Sequence, residues 1–365
     1  MSLFENVKKN FGLGCMRLPM KGDEVDCGEF CRMVDYFMES GFNYFDTARV
    51  YLGTKSESAI RDCIVRRYPR ESFILTDKLS TSLFNSEEEI RPLFELQLES
   101  CGVDYFDFYL MHAQSKNIFE KYKKCRAYEQ AMEFKKEGRI KHLGISFHDK
   151  AEVLDEILCE YPEVEVVQIQ LNYADFDDPA VQSRLCYEVC RKHGKPVIVM
   201  EPVKGGNLAD LTPKAKTVLE DLHGGSAASY ALRFAAGFEG IIMVLSGMSN
   251  MEQMEDNVAA MKDFHPLSED ERAAPARRLS RADPSAHPQH PVRAPAAPRP
   301  LPRNTPSAHP QRPIDRSGHT FPPADPPTRR ISPRRKAVRR ETACPIHKIH
   351  KQNSGENTHG KQSKI

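Results

Sequence analysis

Residues 45–51 read Phe-Asp-Thr-Ala-Arg-Val-Tyr, the end of a short apolar strand followed by two polar side chains, Asp46 and Tyr51. Two later apolar runs end in the same manner, one shortly before Lys78 and the other just before His112. When parallel strands close into a barrel, their carboxyl ends meet at one mouth. We therefore expect an acid, a phenol, an ammonium and an imidazole to meet there, a group suited to giving a proton to a carbonyl oxygen.

The body of the chain alternates short apolar strands with amphipathic helices, which indicates parallel strands joined by crossover helices. Eight strands are predicted, over residues 10–16, 43–46, 73–78, 106–112, 140–146, 165–171, 196–201 and 241–246. Eight strand–helix units in about 260 residues match the usual size of a TIM barrel. We predict a (β/α)8 TIM barrel over residues 1–272. An open doubly wound sheet is disfavoured, because Gly12 and Gly14 lack the third glycine of the dinucleotide-binding fingerprint.

Three of the predicted helices are clearly marked. Residues 86–100 begin with Ser86 as a candidate N-cap and an acidic first turn. Residues 149–161 carry apolar side chains at helical spacing, and residues 250–261 follow the last strand.

The C-terminal part of the chain differs in composition from the rest. Residues 275–365 hold 19 Lys and Arg against 5 Asp and Glu, together with 17 of the 26 prolines. Such a segment has too little apolar surface to offset the entropy of ordering it, so we predict a disordered low-complexity tail over residues 273–365. Its basic residues suggest phosphate contacts, but it has no aromatic platform, and a solvated segment is favoured over nucleic-acid binding.

Nine of the ten cysteines lie in the first 190 residues, in no metal-binding pattern. Cys27 and Cys31 are four apart on a predicted helix, as are Cys186 and Cys190. Burial as small apolar residues is favoured there over a metal half-site. With no signal peptide and no apolar run of membrane-spanning length, we expect a soluble, monomeric, cytoplasmic protein with free thiols.

The four strand-end residues fit the chemistry of carbonyl reduction. A free phenol has a pKa of about 10, too high for easy proton donation at neutrality. We expect the Lys78 ammonium to lower the pKa of Tyr51, with Asp46 holding Lys78 in place by an ion pair. The imidazole of His112 would orient the substrate oxygen.

Taken alone, each of these residues has an ordinary structural explanation. Asp46 suits a turn or helix cap, Tyr51 suits packing, Lys78 suits a solvated strand end, and His112 suits a structural hydrogen bond. The placement of all four at predicted strand ends is what favours an active site.

With these residues in view, the chain resembles the aldo-keto reductases, (β/α)8 barrel oxidoreductases that use NADP(H). Residues 45–57, with Asp-Thr-Ala, a tyrosine, a glycine-containing turn and Ser-Glu, are similar to the signature of that family. Residues 106–112 are similar to its histidine-bearing strand. The resemblance covers roughly residues 8–265, and it implies NADPH-dependent reduction of an aldehyde or ketone by the four residues in the roles given above.

The resemblance also implies contacts to the cofactor. Ser146 and Gln168, at the ends of the fifth and sixth strands, would contact the nicotinamide carboxamide, although pairing with a neighbouring strand explains Gln168 nearly as well. Glu201 ends the seventh strand, where the family often stacks an aromatic residue on the nicotinamide. Gly205 and Gly206 would let the backbone approach the pyrophosphate or simply form a turn.

The last strand–helix unit bears on the choice between NADPH and NADH. Ser246 and Gly247 precede the final helix, whose N-terminus can receive phosphate. Asn257 matches the asparagine that contacts adenine in the family. Gln253 stands where the family commonly has an arginine for the 2′-phosphate, so a charge-assisted bond is missing. On the resemblance we expect NADP, with NAD as the alternative.

The run Glu-Pro-Val-Lys-Gly-Gly at residues 201–206 is most similar to a subgroup that often continues into a cysteine-rich iron–sulfur segment. Here only Cys344 lies in the tail, and a cluster needs about four thiolates, so we predict neither an iron–sulfur cluster nor another metal. The abrupt change of composition fits a genuine tail or a shifted reading frame. Asp77, beside Lys78, is expected on the opposite face of its strand.

Two other functions stay open. One is a barrel that binds a nicotinamide nucleotide as a sensor with little turnover, and the other is nucleic-acid binding by the tail. The intact group of four favours an enzyme with a small carbonyl substrate, whose identity depends on loops such as residues 16–26 and 112–125.

Overall fold

The computed structural model describes residue 7 and residues 10–213, 225–268 and 271–272. Its strands are β1 (Phe11–Gly14), β2 (Met20–Lys21), β3 (Glu24–Val25), β4 (Tyr44–Asp46), β5 (Ile74–Leu79), β6 (Phe106–Gln114), β7 (Ile140–Phe147), β8 (Val166–Gln170), β9 (Val197–Met200) and β10 (Ile241–Ser246). Eight of them close into a parallel barrel in the order β1-β10-β9-β8-β7-β6-β5-β4. The predicted TIM barrel and its eight strands are confirmed.

The inside of the barrel is filled by a compact apolar cluster, made of Tyr44, Ile74, Phe108, Leu110, Val166, Ile198, Met243 and Leu245. Alternate residues of the same strands face outward and join the larger core beneath the helices. A Cβ at Gly144 would lie 2.5 Å from Leu110 Cδ2 and 2.6 Å from Val166 Cγ1, so only glycine fits there. Burying each large side chain stabilises the fold by about 1.5–3 kcal/mol.

The strands are connected and covered by helices: α1 (Cys27–Glu39), α2 (Lys55–Ile60), α3 (Ile90–Cys101), α4 (Lys116–Lys124), α5 (Ala127–Lys136), α6 (Ala151–Glu160), α7 (Ser183–Lys192), α8 (Ala227–Ala236) and α9 (Met251–Lys262). Each packs an apolar face against the outer side of the barrel, as the spacing of apolar residues predicts.

The helical segment begins after Ser86 with an acidic first turn, as predicted, but that turn is not α-helical. The chain first forms a 3-10 turn, Glu87–Glu89, and the α-helix begins only at Ile90. The Ser86 side chain makes no capping hydrogen bond. Instead, the carboxylate of Glu89 accepts from the backbone N–H of Asn85 at 2.7 Å, so a longer acidic side chain satisfies a backbone donor at this end of the helix.

A small antiparallel hairpin, β2 and β3, follows β1 on the mouth side of the barrel and was not anticipated. It occupies the loop 16–26, and Lys55, at the start of α2, donates to its residue Glu24 at 2.6 Å. The loop predicted to influence the substrate is therefore an ordered element, tied to the segment that follows Tyr51.

The cysteine pairs lie on helices as predicted, the first on α1 and the second on α7. Cys186 and Cys190 are buried, but Cys27 is exposed, so the expectation of burial is wrong for Cys27. Within the described residues, none of the helices combines the length and the apolar character needed to cross a membrane. The predicted tail, residues 273–365, lies outside the described residues.

Candidate active site

Asp46, Lys78 and Tyr51 form one connected group at the carboxyl ends of β4 and β5. The Lys78 ammonium donates to Asp46 Oδ1 at 2.5 Å, to the Thr47 carbonyl at 2.8 Å and to Tyr51 Oη at 3.1 Å. Lys78 is 0% exposed and Asp46 3%. Because an ammonium has three protons and each meets an acceptor, the buried charge is fully hydrogen-bonded.

Strand alternation explains why Lys78 reaches this group. Lys78 shares the inner face of β5 with Ile74 and Thr76, and β4 and β5 pair in register with Asp46 opposite Thr76. The side chain of Lys78 therefore rises from inside the barrel toward the end of β4.

A strained turn places the phenol of Tyr51 beside Lys78. Tyr51 begins a 3-10 turn, Tyr51–Thr54, in which Leu52 and Thr54 have φ angles of 50° and 77°. A left-handed conformation is costly for residues other than glycine and persists only where the surroundings enforce it. Here the backbone N–H of Tyr51 donates to the Ala48 carbonyl at 2.9 Å, which fixes the start of the turn.

The electrostatics of the phenol differ from the expectation. Burial raises the pKa of Tyr51 above its ordinary value; Lys78 lowers it, and Asp46 raises it again. Lys78 thus has the predicted effect, but the net pKa of Tyr51 is raised, because desolvation of the phenolate outweighs the nearby ammonium. Burial alone would lower the pKa of Lys78, but Asp46 and Tyr51 outweigh that and raise it.

The ring of His112 lies edge-on to the ring of Tyr51, with the ring centroids 5.8 Å apart. Its Nδ1 and the hydroxyl of Ser80 are hydrogen-bonded at 2.6 Å. Burial, together with Lys78 and His148, lowers the pKa of His112 well below its ordinary value. The imidazole is therefore neutral at physiological pH, and with Nδ1 engaged, a ligand oxygen would meet Nε2.

Ser146 and Gln168, predicted to contact the carboxamide, are buried at the same mouth and lie opposite each other in the β7–β8 pairing. Gln168 donates to Asp46 Oδ2 at 3.1 Å, and Ser146 Oγ accepts from the backbone N–H of Ala113 at 3.0 Å. The alternative prediction for Gln168, a polar strand residue paired with another side chain, describes this bond, but its partner lies on β4 and not on a strand next to β8. A carboxamide has two N–H groups and an oxygen, so this bond leaves capacity for a ligand.

The loop after β9 is held by a buried ion pair. Lys204 Nζ donates to Asp175 Oδ1 at 2.8 Å, and the side chains are 9% and 1% exposed. Glu201 and Lys204 both have positive φ angles, 53° and 48°. Burial raises the pKa of Glu201, an effect that Arg17 opposes. The ion pair fixes a strained loop that carries Glu201 and Gly205.

Arg17, which the sequence analysis did not single out, lies between the loops after β1, β9 and β10. A Cβ built at Gly205 would lie 3.5 Å from Arg17 Nη2, and one at Gly247 would lie 3.4 Å from Arg17 Cβ. Ser249 Oγ donates to the Arg17 carbonyl at 2.9 Å. Gly205 thus adjoins the guanidinium of Arg17, and Gly247 adjoins the aliphatic part of the same side chain. A guanidinium suits the recognition of phosphate.

The residues predicted from the last unit interact with one another. Asn257 Nδ2 donates to Ser246 Oγ at 3.0 Å. Gln253 takes part in capping α9: its backbone N–H donates to Asn250 Oδ1 at 2.9 Å, and its Oε1 accepts from the backbone N–H of Ser249 at 2.8 Å. Such reciprocal bonds resemble a capping box. Gln253 therefore stabilises the start of α9, at the position where the family commonly has an arginine.

Asp77 lies on the outer face of β5, as alternation predicted, and meets Glu57 and Cys101. Asp77 Oδ1 accepts from the backbone N–H of Lys78 at 2.7 Å, while Arg49 pairs with Glu57. Burial raises the pKa of Asp77 well above its ordinary value, and the nearby Glu57 carboxylate adds to the shift. Burial also raises the pKa of Glu57, but Arg49 opposes that shift. A proton shared by the two carboxyls is therefore favoured on Asp77, which also supports the backbone of Lys78 by accepting its N–H.

Sequence reasoning missed Arg17, Ser80 and Glu57 as neighbours of the site. Ser80 follows β5 directly and Arg17 lies three residues after the end of β1, so a position at or just after a strand end marks these two as it marked the four predicted residues. Glu57 gave no such signal, because its proximity to Asp77 depends on how α2 packs on the barrel.

Comparison with known proteins identifies the family of the chain. The family model described as Aldo/keto reductase family matches residues 10–275. Dihydrodiol dehydrogenase 3 of Bos taurus is 27% identical over 68% of this chain and 83% of its own length. The NADH-specific methylglyoxal reductase of Escherichia coli is 27% identical over 62% of this chain and 82% of its own length.

Solved structures show the same fold. An aldo-keto reductase of Klebsiella pneumoniae in complex with NADPH is 18% identical, with a TM-score of 0.57 over 77% of this chain and 92% of that one. A thermostable aldo-keto reductase in complex with the inhibitor epalrestat is 22% identical, with a TM-score of 0.60 over 73% of this chain and 94% of that one.

Proposed function

The chain belongs to the aldo/keto reductase family, and from that premise we propose that it reduces an aldehyde or ketone to an alcohol with NADPH, using Tyr51 as the general acid. Membership establishes an oxidoreductase of carbonyl compounds that depends on a nicotinamide cofactor. The observation that carries the finer proposal is the buried contact of 3.1 Å between Lys78 Nζ and Tyr51 Oη.

The residues at the mouth fit a nicotinamide dinucleotide. Gly205 leaves space beside the guanidinium of Arg17, where a Cβ would lie 3.5 Å from Nη2, and Gly247 leaves space beside the aliphatic part of that side chain, where a Cβ would lie 3.4 Å from Arg17 Cβ. That combination suits a pyrophosphate, because the backbone can approach closely and a fixed positive charge lies next to it. Ser146 and Gln168 supply a hydroxyl and a carboxamide that suit the amide of the nicotinamide.

When bound, the cofactor supplies the hydride that reduces the carbonyl carbon. Tyr51 gives its proton to the carbonyl oxygen, and the neutral imidazole of His112, held by Ser80 at 2.6 Å, positions that oxygen. Lys78 keeps the phenol oriented, while Asp46 and the Thr47 carbonyl keep Lys78 in place.

The raised pKa of Tyr51 fits this role. At neutral pH the phenol is protonated, so the acid form is always present. Lys78 acts when the proton leaves, because a phenolate beside a buried ammonium is far better stabilised than one without it. An interaction that strengthens only as the charge forms lowers the barrier without tightening substrate binding.

The test is to remove one hydroxyl in Tyr51→Phe and to follow NADPH oxidation with a panel of aldehydes and ketones. We expect kcat to fall by roughly 10²–10⁴-fold, the usual contribution of a general acid, with the Kd for NADPH unchanged. Tyr68→Phe is the matched control, because its hydroxyl bonds Asp35 on the surface of the protein. Equal rates for wild type and Tyr51→Phe would refute the role of Tyr51.

The preference for NADPH is proposed to be weak. The family supports NADPH, whereas Gln253 has no charge and is engaged in capping α9. We expect kcat/KM for NADPH to exceed that for NADH by about tenfold or less, since one charge-assisted bond is missing.

A further inference from the structure

A second group of potential metal ligands lies on the outside of the barrel, on α6 and at the end of α7. It consists of Asp155, Cys159 and His193, whose carboxylate oxygen, Sγ and ring nitrogen all lie within 4.8 Å of one another. We propose that these three side chains form a binding site for a divalent metal ion of the zinc type.

The backbone brings the three ligands together without strain. Asp155 and Cys159 are four residues apart on α6, so they share one face of the helix. His193 is the residue that ends α7, and its Nε2 is already 2.5 Å from Asp155 Oδ1. Ligand atoms around tetrahedral zinc lie roughly 3.3–3.8 Å apart, a separation that small rotations of Asp155 and Cys159 would produce.

The set of ligands matches the chemistry of zinc. Zinc is bound by cysteine sulfur, histidine nitrogen and carboxylate oxygen, with three protein ligands and an open fourth position in many sites. A carboxylate and a thiolate carry two negative charges, which neutralise a divalent cation, while His193 contributes a neutral donor. Calcium and magnesium are disfavoured, because they prefer a shell of oxygen ligands.

The proposed site is separate from the catalytic group. Helices of a barrel run antiparallel to its strands, so the ends of α6 and α7 lie toward the amino ends of the strands. The catalytic residues lie at the opposite ends. A metal bound to Asp155, Cys159 and His193 would tie α6 to α7 and stabilise the outer layer without touching a substrate. The inference therefore stands independently of the proposed function.

Lys192 competes with the metal. Its ammonium donates to both oxygens of Asp155 at 2.8 Å. The side chain of Lys192 is 62% exposed, so it can turn into solvent when a cation binds, but its charge weakens the site. Removing that charge should tighten metal binding, which distinguishes a metal site from a simple surface ion pair.

The experiment titrates the metal-free, full-length protein with Co²⁺, a spectroscopic substitute for Zn²⁺, under a reductant that does not bind metals. We expect one equivalent to produce a thiolate-to-cobalt charge-transfer band and an intense visible absorption typical of tetrahedral cobalt, both abolished by Zn²⁺. Cys159→Ser and His193→Gln should lose the charge-transfer band or weaken binding at least about tenfold. Cys27→Ser, which removes another exposed thiol, should leave the band unchanged.

Two further variants complete the test. Lys192→Met should bind Co²⁺ at least about twofold more tightly, since an exposed competing ion pair is lost. Cys344→Ser tests whether the tail binds the metal, because Cys344 is followed in the sequence by His347 and His350. A band that survives in Cys159→Ser, a band lost in Cys344→Ser, or unchanged affinity in Lys192→Met would overturn the assignment. Carbonyl reduction by all these variants should match wild type, which confirms that they fold.

Discussion

At the scale of single residues, the decisive pair is Asp77 and Glu57 behind the catalytic lysine. Glu57 Oε1 is buried and has no hydrogen-bond donor among the described residues. If the carboxyls of Glu57 and Asp77 were both ionised, neither would carry a proton to donate. A proton on Asp77 supplies that donor and removes one of two adjacent negative charges. The raised pKa of Asp77 and the pairing of Glu57 with Arg49 both agree with this distribution of charge.

Asparagine should therefore replace Asp77 well. Asp77→Asn keeps an acceptor for the Lys78 backbone N–H and gains an N–H donor for Glu57, so we expect kcat within about threefold of wild type. Asp77→Ala leaves buried groups unsatisfied and should cost about 2–4 kcal/mol in the free energy of unfolding. Urea unfolding and steady-state kinetics measure both effects. An Asn variant as unstable as the Ala variant would contradict a protonated Asp77.

The same pair makes stability depend on pH. Folded Asp77 keeps its proton at pH values where an unfolded aspartate, with a pKa of about 3.9, is ionised. The folded chain then binds more protons than the unfolded chain, so this group lowers the free energy of unfolding as pH rises above that value. Asp77→Asn has no such proton, so its stability relative to wild type should rise as the pH is raised above about 3.9, the pKa of an unfolded aspartate.

Gln253 is where the cofactor preference can be altered. In Gln253→Arg the guanidinium can pair with a 2′-phosphate, and we expect the ratio of kcat/KM for NADPH to that for NADH to rise by roughly 10- to 100-fold. The change also removes the bond from the Ser249 N–H, at a cost of about 0.5–1 kcal/mol of stability.

Gln253→Met is the matched control for this substitution, because it loses the same cap and gains no charge. Kinetics with both cofactors should show its ratio unchanged. An equal rise for NADH and NADPH in the Arg variant would show that position 253 does not contact the 2′-phosphate.

At the scale of elements, the ends of the strands could be predicted from the sequence, but the surroundings of each side chain could not. Apolar runs that stop at a polar residue locate Asp46 and His112, because a buried parallel strand is mostly apolar until it reaches the mouth. Lys78 follows its apolar run by two polar residues, Thr76 and Asp77. The net rise in the pKa of Tyr51 was not readable, since it depends on how much of the phenol the turn Tyr51–Thr54 buries.

Contacts between elements that are distant in sequence were also beyond prediction. Ser80 meets His112 across β5 and β6, and Asp155 meets His193 across α6 and α7. A sequence period shows which face of a helix or strand is buried, but the pairing of two polar side chains depends on the offset between neighbouring elements. The hairpin β2–β3 was not predicted, because a strand of two residues is too short to show an alternation of apolar and polar side chains.

At the scale of the whole molecule, the barrel closes within the described residues. β10 pairs with β1, and the backbone N–H of Met251 at the start of α9 donates to Glu29 of α1 at 3.2 Å. The chain then continues for a few residues that still pack: Leu267 is 4% exposed. Arg272 donates to the Gly237 carbonyl and lies over the ring of Phe238, 5.0 Å from its centroid.

We propose on these contacts that the folding unit ends near residue 272, and two truncations test this boundary. A chain that stops after residue 274 keeps Leu267 and Arg272, so its melting temperature and carbonyl reduction should match the full-length protein. A chain that stops after residue 266 loses both, and burial of one leucine alone contributes about 1.5–3 kcal/mol. Thermal unfolding measures the difference. Equal stability of the two truncations would place the boundary before Leu267, whereas a large loss in the longer one would show that residues beyond 274 support the barrel.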